Sequence, residues 1–223
     1  MFLRIILSFF LVFTFFIGPT TVKAQDGEMS ENAKMILAYG DSLMAGYNLQ
    51  KGEDFASQLE DALISDGHDV IVKNASISGD TTASGLSRLE WALESGEEPD
   101  LVILGLGAND MLRALPPAST KQNLKKIIEH FKGENIAVLL AGMKAAPNLG
   151  ESYSTEFDAI YPELADTYGN VTLYPFFLED VATVKELNLE DGIHPNQEGQ
   201  KLIAEKLTAF LEPHLKKLKK TDG

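Results

Sequence analysis

Five short apolar runs, each followed by a segment of helical period, constrain this chain more than any other feature. The runs are residues 35–39, 70–72, 101–106, 136–141 and 171–174. They are apolar along nearly their whole length, so both faces of each strand must be covered. Between them, apolar residues recur at helical spacing. The stripes are Phe55, Leu59, Ala62 and Leu63; Leu86, Leu89 and Leu93; Leu124, Ile127, Ile128 and Phe131; and Phe157, Ile160, Tyr161 and Leu164. A last stripe carries Leu202, Ile203, Leu207, Phe210 and Leu211. Breakers close the helices: Ser65-Asp66-Gly67-His68, then Ser95 to Pro99, Lys132-Gly133 and Tyr168-Gly169. Such alternation predicts an α/β chain with a parallel sheet covered on both sides. Right-handed crossovers make it a three-layer α/β/α sandwich.

The N-terminus stands apart from this pattern. Residues 1–17 carry one charge, Arg4, in an otherwise apolar run that Gly18-Pro19 breaks. Val22-Lys23-Ala24 then places small residues one and three positions before a cut ahead of Gln25. That is the layout of a secretory signal peptide over 1–24. The rival, a retained membrane anchor, needs about 20 apolar residues, and the run is short for that. Residues 25–33 read as a polar linker, 34–214 as one domain and 215–223 as a basic tail. The 223 residues suffice for a sizeable core in that one domain. Export to the periplasm or medium of a bacterium is the expectation. There is no cysteine, which removes disulfides, thiolate metal sites, a lipid-modified cysteine and a cysteine nucleophile. The net charge of −14 becomes −16 once Arg4 and Lys23 leave with the signal. Such a surface repels nucleic acid and anionic lipid. The lysines at 216–220 read as a solvated tail, and no stable membrane insertion is expected after cleavage.

Chemistry gathers where the strands end. Gly40-Asp41-Ser42-Leu43 follows the first run and presents a hydroxyl at a strand's carboxyl end, where ligands bind in open α/β sheets. Turn propensity alone would explain those residues equally well. After the second run, Gly79 lets a backbone N–H approach a ligand without a Cβ in the way, and Thr81 or Thr82 starts the next helix. A plain turn and cap also accounts for that segment. After the third run, Gly105-Leu106-Gly107-Ala108-Asn109-Asp110 offers the Asn109 carboxamide as a donor to a developing oxyanion. It lacks the third glycine of a dinucleotide loop. Near the end, Asp191 and His194 lie three residues apart before Pro195. A carboxylate bonded to Nδ1 fixes the tautomer and frees Nε2 as a base toward a serine. A metal site of Asp41, Asp110, Asp191 and His194 is the chemical rival. No metal-binding spacing supports it, and it leaves Ser42 without a purpose.

These blocks resemble the GDSL-type, or SGNH, hydrolases. Gly40-Asp41-Ser42-Leu43 looks like the nucleophile block and Gly79 like the glycine block. Gly107-Ala108-Asn109-Asp110 and Asp191-Gly192-Ile193-His194 look like the third and last blocks, in family order. The resemblance covers roughly residues 34–211. Ala45-Gly46-Tyr47, residues 74–81, Ala141-Gly142-Met143, residues 147–150, Ile160-Tyr161-Pro162 and Tyr174-Pro175-Phe176-Phe177 are similar to the bacterial exported arylesterase and acyl-CoA thioesterase/lysophospholipase branch. Near relatives often carry Glu at Gly105 and Pro at Ala146. The resemblance implies a flavodoxin-like five-stranded sheet and no metal or other cofactor.

The resulting expectation is a serine esterase working through an acyl-enzyme, with aryl or short acyl esters as small-molecule substrates and a range reaching thioesters and lysophospholipids. Ser42 is the nucleophile, His194 the general base and acid, and Asp191 the orienting carboxylate. The Ser42 and Gly79 N–H groups and the Asn109 side chain make the oxyanion hole. Leu106, Met111, Leu112, Leu115, Met143, Pro147 and Leu149 are the expected substrate wall, with a buried connection of no ligand role as the competing reading. A carbohydrate O-deacetylase on the same scaffold is the rival enzyme. Against it, the lone tryptophan, Trp91, falls in a helix and no exposed aromatic platform is expected. A non-catalytic secreted binding module is the rival outside enzymes.

Overall fold

The computed structural model describes residues 33–93, 98–169 and 171–216. The expected signal peptide, all but the last residue of the linker, the tail beyond 216 and most of the turn at 95–99 lie outside the described residues. Five strands form one sheet: β1 (Lys34–Gly40), β2 (Val70–Asn74), β3 (Leu101–Gly105), β4 (Ala137–Ala141) and β5 (Val171–Tyr174). All neighbours are parallel, in the order β2-β1-β3-β4-β5. This is the flavodoxin-like order, in which a crevice opens where β1 and β3 lead the chain to opposite sides. The register sets Gly40 beside Gly105, so the ends of β1 and β3 are level at that crevice.

Nine helices are described: α1 (Ser42–Ala45), α2 (Phe55–Ser65), α3 (Thr82–Ser87), α4 (Leu89–Leu93), α5 (Ala108–Leu112), α6 (Pro117–Gly133), α7 (Glu151–Asp158), α8 (Ile160–Thr167) and α9 (Gln197–Leu215). On one face α2 packs on α9; on the other α6 packs on α3, α7 and α8. Ile36 to Tyr39, Val102 to Leu104 and Val138 to Leu140 are buried between these layers, which explains why their strands do not alternate. No helix among the described residues is long and apolar enough to cross a membrane.

Some expected boundaries move, each for a local reason. The Leu86–Leu89–Leu93 stripe is split at Arg88, where the backbone, at φ −103° and ψ 9°, leaves the helical conformation. The stripe through Phe157 and Leu164 is split at Ala159. Pro162 has no N–H for the Asp158 carbonyl, and its ring crowds that carbonyl. Gly133 is the last residue of α6, as the sequence suggested, and the chain reverses just beyond it at Asn135, with φ 61°. The one-turn helices α1 and α5 are too short to show a period in the sequence.

Candidate active site

Ser42 is the first residue of α1, directly beyond the end of β1. Asp41 caps that turn by accepting the Leu43 N–H at 3.0 Å. Gln200 of α9 donates to the Leu43 carbonyl at 2.8 Å, tying the serine's turn to the helix that follows His194. A Cβ on Gly105 would lie 2.2 Å from the Met44 methyl, which fills the space a longer side chain needs there. The Ser42 side chain is nearly covered, at 8% exposure for the residue, rather than standing free at the strand end.

The loop before α9 brings the base to it. Asp191 accepts the N–H groups of Ile193 (2.9 Å) and His194 (3.0 Å), folding the loop around its own carboxylate. Its other oxygen meets His194 Nδ1 at 2.7 Å, and His194 Nε2 meets Ser42 Oγ at 2.9 Å. The loop is closed below by Leu189 N–H to the His194 carbonyl at 2.8 Å and by the Asn188–Pro195 bridge. Asn196 then caps α9 by accepting the Gly199 N–H at 3.0 Å. Burial works against the Asp191 charge, yet the two N–H bonds and the His194 ring hold its pKa down to about 2. It is therefore a carboxylate whenever the imidazole is called on to take a proton.

Gly79 and Asn109 follow the ends of β2 and β3, the two neighbours of β1. Gly79 has φ 87°, and a Cβ there would meet nothing nearer than Arg113 Nη2 at 4.0 Å. The left-handed backbone therefore favours glycine here whatever the space around it, and no protein atom crowds the position. Thr81 caps α3 in a capping box with Ser84. Asn109 Nδ2 donates to the Asp80 carbonyl at 3.0 Å, which sets the amide against the turn carrying Gly79. Behind it, Gly107 has φ 119°, and a Cβ there would sit 2.3 Å from Tyr161 Oη. The Tyr161 hydroxyl donates to the Leu106 carbonyl at 3.1 Å, so the β3–α5 turn is held from beneath.

The carboxylates of the rival metal site go elsewhere. Asp110 turns into the core, accepting from Thr82 N–H (2.8 Å), Thr82 Oγ1 (2.6 Å) and Thr120 Oγ1 (3.2 Å). No three His, Asp or Glu side chains among the described residues form a metal-binding group. Asp41 is fully buried, and burial raises its pKa to about 7; the Leu43 N–H and the Asn109 amide pull it down, while Asp110 and Asp80 push it up.

The expected substrate wall is divided by the fold. Leu106, Met111 and Met143 are core residues, and Leu106 lies so close to Gly85 that a Cβ there would sit 2.4 Å from its Cδ1. Leu106 therefore seals α3 onto β3 and has no open face. Leu115 and Leu149 are half-buried, Pro147 is exposed, and Leu112 is 50% exposed. Trp91 is helical as expected but 63% exposed, so the sequence-based statement that no aromatic platform is exposed is corrected. It sits on α4, in the connection from β2 to β3. Two residues to which the sequence assigned no role at the site also touch it. Tyr47 stacks on His194, with ring centroids 4.4 Å apart and an interplanar angle of 36°. Arg88 reaches the Asp80 carboxylate and the Ala75 and Gly40 carbonyls. Tyr47 and His194 are 147 residues apart, and Arg88 reaches across 8, 13 and 48 residues; neither periodicity nor motif spacing registers such contacts.

Residues 38–202 match the GDSL-like lipase/acylhydrolase family. An arylesterase of Vibrio mimicus is 45% identical over 83% of this chain and 92% of its own length. The thioesterase 1/protease 1/lysophospholipase L1 of Escherichia coli is 40% identical over 81% of this chain and 85% of its own. The crystal structure of the psychrotrophic esterase EstA from Pseudoalteromonas sp., inhibited by monoethylphosphonate, superposes with a TM-score of 0.77 at 33% identity, covering 82% of this chain and 99% of that one. With its five-stranded parallel sheet and the Asp191–His194–Ser42 alignment, the chain belongs to the GDSL-like lipase/acylhydrolase family and is a serine hydrolase of the esterase class.

Proposed function

We propose that the chain hydrolyses aryl and short acyl esters through an acyl-enzyme on Ser42. The observation that carries this reading is the unbroken line from Asp191 through His194 to Ser42, at 2.7 and 2.9 Å. Ser42 Oγ attacks the ester carbonyl carbon while its proton passes to His194 Nε2. Asp191 holds the Nδ1–H and balances the imidazolium. The negative charge that forms on the carbonyl oxygen is taken by the Ser42 and Gly79 N–H groups and the Asn109 amide. One such donor is worth about 2.7–4 kcal/mol of transition-state stabilisation. As the intermediate collapses, the ester C–O bond breaks and the alkoxide or aryloxide takes the proton from His194. Water then repeats the sequence on the acyl group and restores Ser42. Every charge in this cycle meets a group of the chain itself, so no metal or organic cofactor is assigned a step.

The arylesterase and thioesterase/lysophospholipase names of the relatives support a substrate range that includes thioesters and lysophospholipids. The acidic surface favours neither nucleic acid nor anionic lipid as a partner. The N-terminal pattern supports export with cleavage after Ala24 and release from the membrane; N-terminal sequencing of the exported protein is expected to begin at Gln25. The mechanism is tested with a fluorophosphonate and p-nitrophenyl acetate. Labelling of Ser42 alone, and loss of hydrolysis in a folded Ser42→Ala variant, are expected. Labelling at another serine, or full activity in that variant, overturns the reading.

A further inference from the structure

We propose that Arg88 is the positioning residue of the oxyanion hole, setting the relative places of all three donors through one guanidinium; this rests on the serine-esterase reading above. Its Nε donates to Asp80 Oδ2 at 2.5 Å, one Nη to the Ala75 carbonyl at 2.8 Å and the other to the Gly40 carbonyl at 3.2 Å. Gly40 is two residues before Ser42. Asp80 directly follows Gly79, and its carbonyl receives Asn109 Nδ2 at 3.0 Å. The guanidinium therefore joins the ends of β1 and β2, and through Asp80 it reaches the side chain presented beyond β3. The plane of the guanidinium is itself fixed, with its carbon 4.1 Å from the centre of the Tyr39 ring. Tyr39 is immobilised in turn, buried, with its hydroxyl donating to the Gly85 carbonyl at 2.5 Å.

Residue choice across the chain points the same way. Of 19 basic residues only three are arginine: Arg4, Arg88 and Arg113. The two among the described residues both end on the turn that carries Gly79, since Arg113 donates to the Gly79 carbonyl at 3.0 Å. Lysine serves everywhere else. A lysine has one point charge and cannot hold three acceptors in a plane, whereas a guanidinium presents its donors in a rigid fork. The Arg88–Asp80 pair is also largely buried, with both side chains 12% exposed. A buried pair is weak evidence for added stability, so this one is read for the geometry that it fixes. Here the geometry is that of donors aimed at a developing charge, which must be in place before reaction to be effective.

The test uses the full chain carrying Arg88→Lys or Arg88→Ala, with p-nitrophenyl acetate as substrate. A trifluoromethyl ketone, whose adduct with Ser42 places an oxyanion in the hole, is the second probe. If Arg88 positions the donors, kcat falls about 10²-fold in both variants, as for a displacement of about 1 Å at a reacting centre. KM stays near the wild-type value, and ketone affinity falls in proportion to kcat. Millimolar guanidinium restores part of kcat to Arg88→Ala but none to Arg88→Lys. Wild-type kcat in folded Arg88→Lys overturns the proposal, as does a kcat loss that leaves ketone affinity unchanged. Failure of both variants to fold overturns it too, since Arg88 is then a structural residue. The esterase reading is judged separately: if the wild type does not hydrolyse the ester, or folded Ser42→Ala still does, that reading fails rather than this one.

Discussion

Asp41 shows how a side chain next to the nucleophile can be unlike the other carboxylates of the site. One oxygen caps α1, while the other is buried without a hydrogen-bond partner. Burial raises its pKa to about 7, so the native state holds this proton more tightly than the unfolded chain does. Its contribution to stability is complete below about pH 4, declines as pH rises towards 7 and is lost above that. Asp41→Asn keeps the capping oxygen and removes the titration. The fall in unfolding free energy between pH 4 and 7, measured by urea denaturation, is therefore expected to flatten in the variant. An unchanged slope would assign it to other groups. Asp191 has the opposite sign: its pKa is lowered to about 2, so its charge stabilises the native state until pH falls through that value. Asp191→Asn leaves an amide that no longer selects the Nδ1–H tautomer, and kcat is expected to fall about 10⁴-fold with KM little changed. Ser42, Asp191 and His194 were legible as candidates, although Ser42 and His194 lie 152 residues apart, because each sits in a short block whose residue types and order resemble a known family. Arg88 and Tyr47 were assigned no role, because nothing in a strand-end block or a periodic stripe marks a side chain that acts by reaching Asp80, Ala75 and Gly40 or by packing on His194.

The strands were readable from the sequence almost to the residue, since burial on both faces leaves unbroken apolar runs. Helices were less so. Their stripes report which face is buried, not where the helix is interrupted, as at Arg88, where the backbone leaves the helical conformation, and at Ala159, ahead of Pro162. The turn from β3 into α5 is the element on which the third donor depends. Gly107→Ala would place a methyl against Tyr161 Oη in a left-handed backbone, a conformation that alone costs about 1–2 kcal/mol. A lower unfolding midpoint and a loss of kcat are expected together; a stable, fully active variant would show that this turn does not hold Asn109. The last residue of α5, Leu112, is half exposed, and the segment after it carries Leu115, half-buried, whose carbonyl accepts the Tyr153 hydroxyl at 3.0 Å. If it lines the acyl site, each buried methylene adds about 0.8 kcal/mol until the groove is full. Specificity constants across p-nitrophenyl esters are then expected to rise with acyl length, and Leu112→Ser or Leu115→Ser to flatten the rise. Coincident profiles would place the acyl group elsewhere. Leu106 is excluded from that wall by its packing under α3, which a strand-end leucine in a sequence does not reveal.

At the scale of the whole molecule, the sheet order does most to make the site. It puts β1 between β2 and β3, so three motif blocks spread over residues 40–110 arrive at neighbouring strand ends. The last block reaches them from beyond β5 and is anchored through α9 to the serine's own turn. Full activity after exhaustive chelation is expected, since the stabilising groups are N–H donors and an imidazolium; loss with EDTA and recovery with a divalent cation would contradict it. The covalent step itself is open to direct observation. A reaction with a p-nitrophenyl ester, quenched within the first turnovers and read by intact-protein mass spectrometry, is expected to show one acyl group added and mapped to Ser42, with none in Ser42→Ala. Sustained turnover with no acyl-protein, or an acyl group on another residue, would contradict the account.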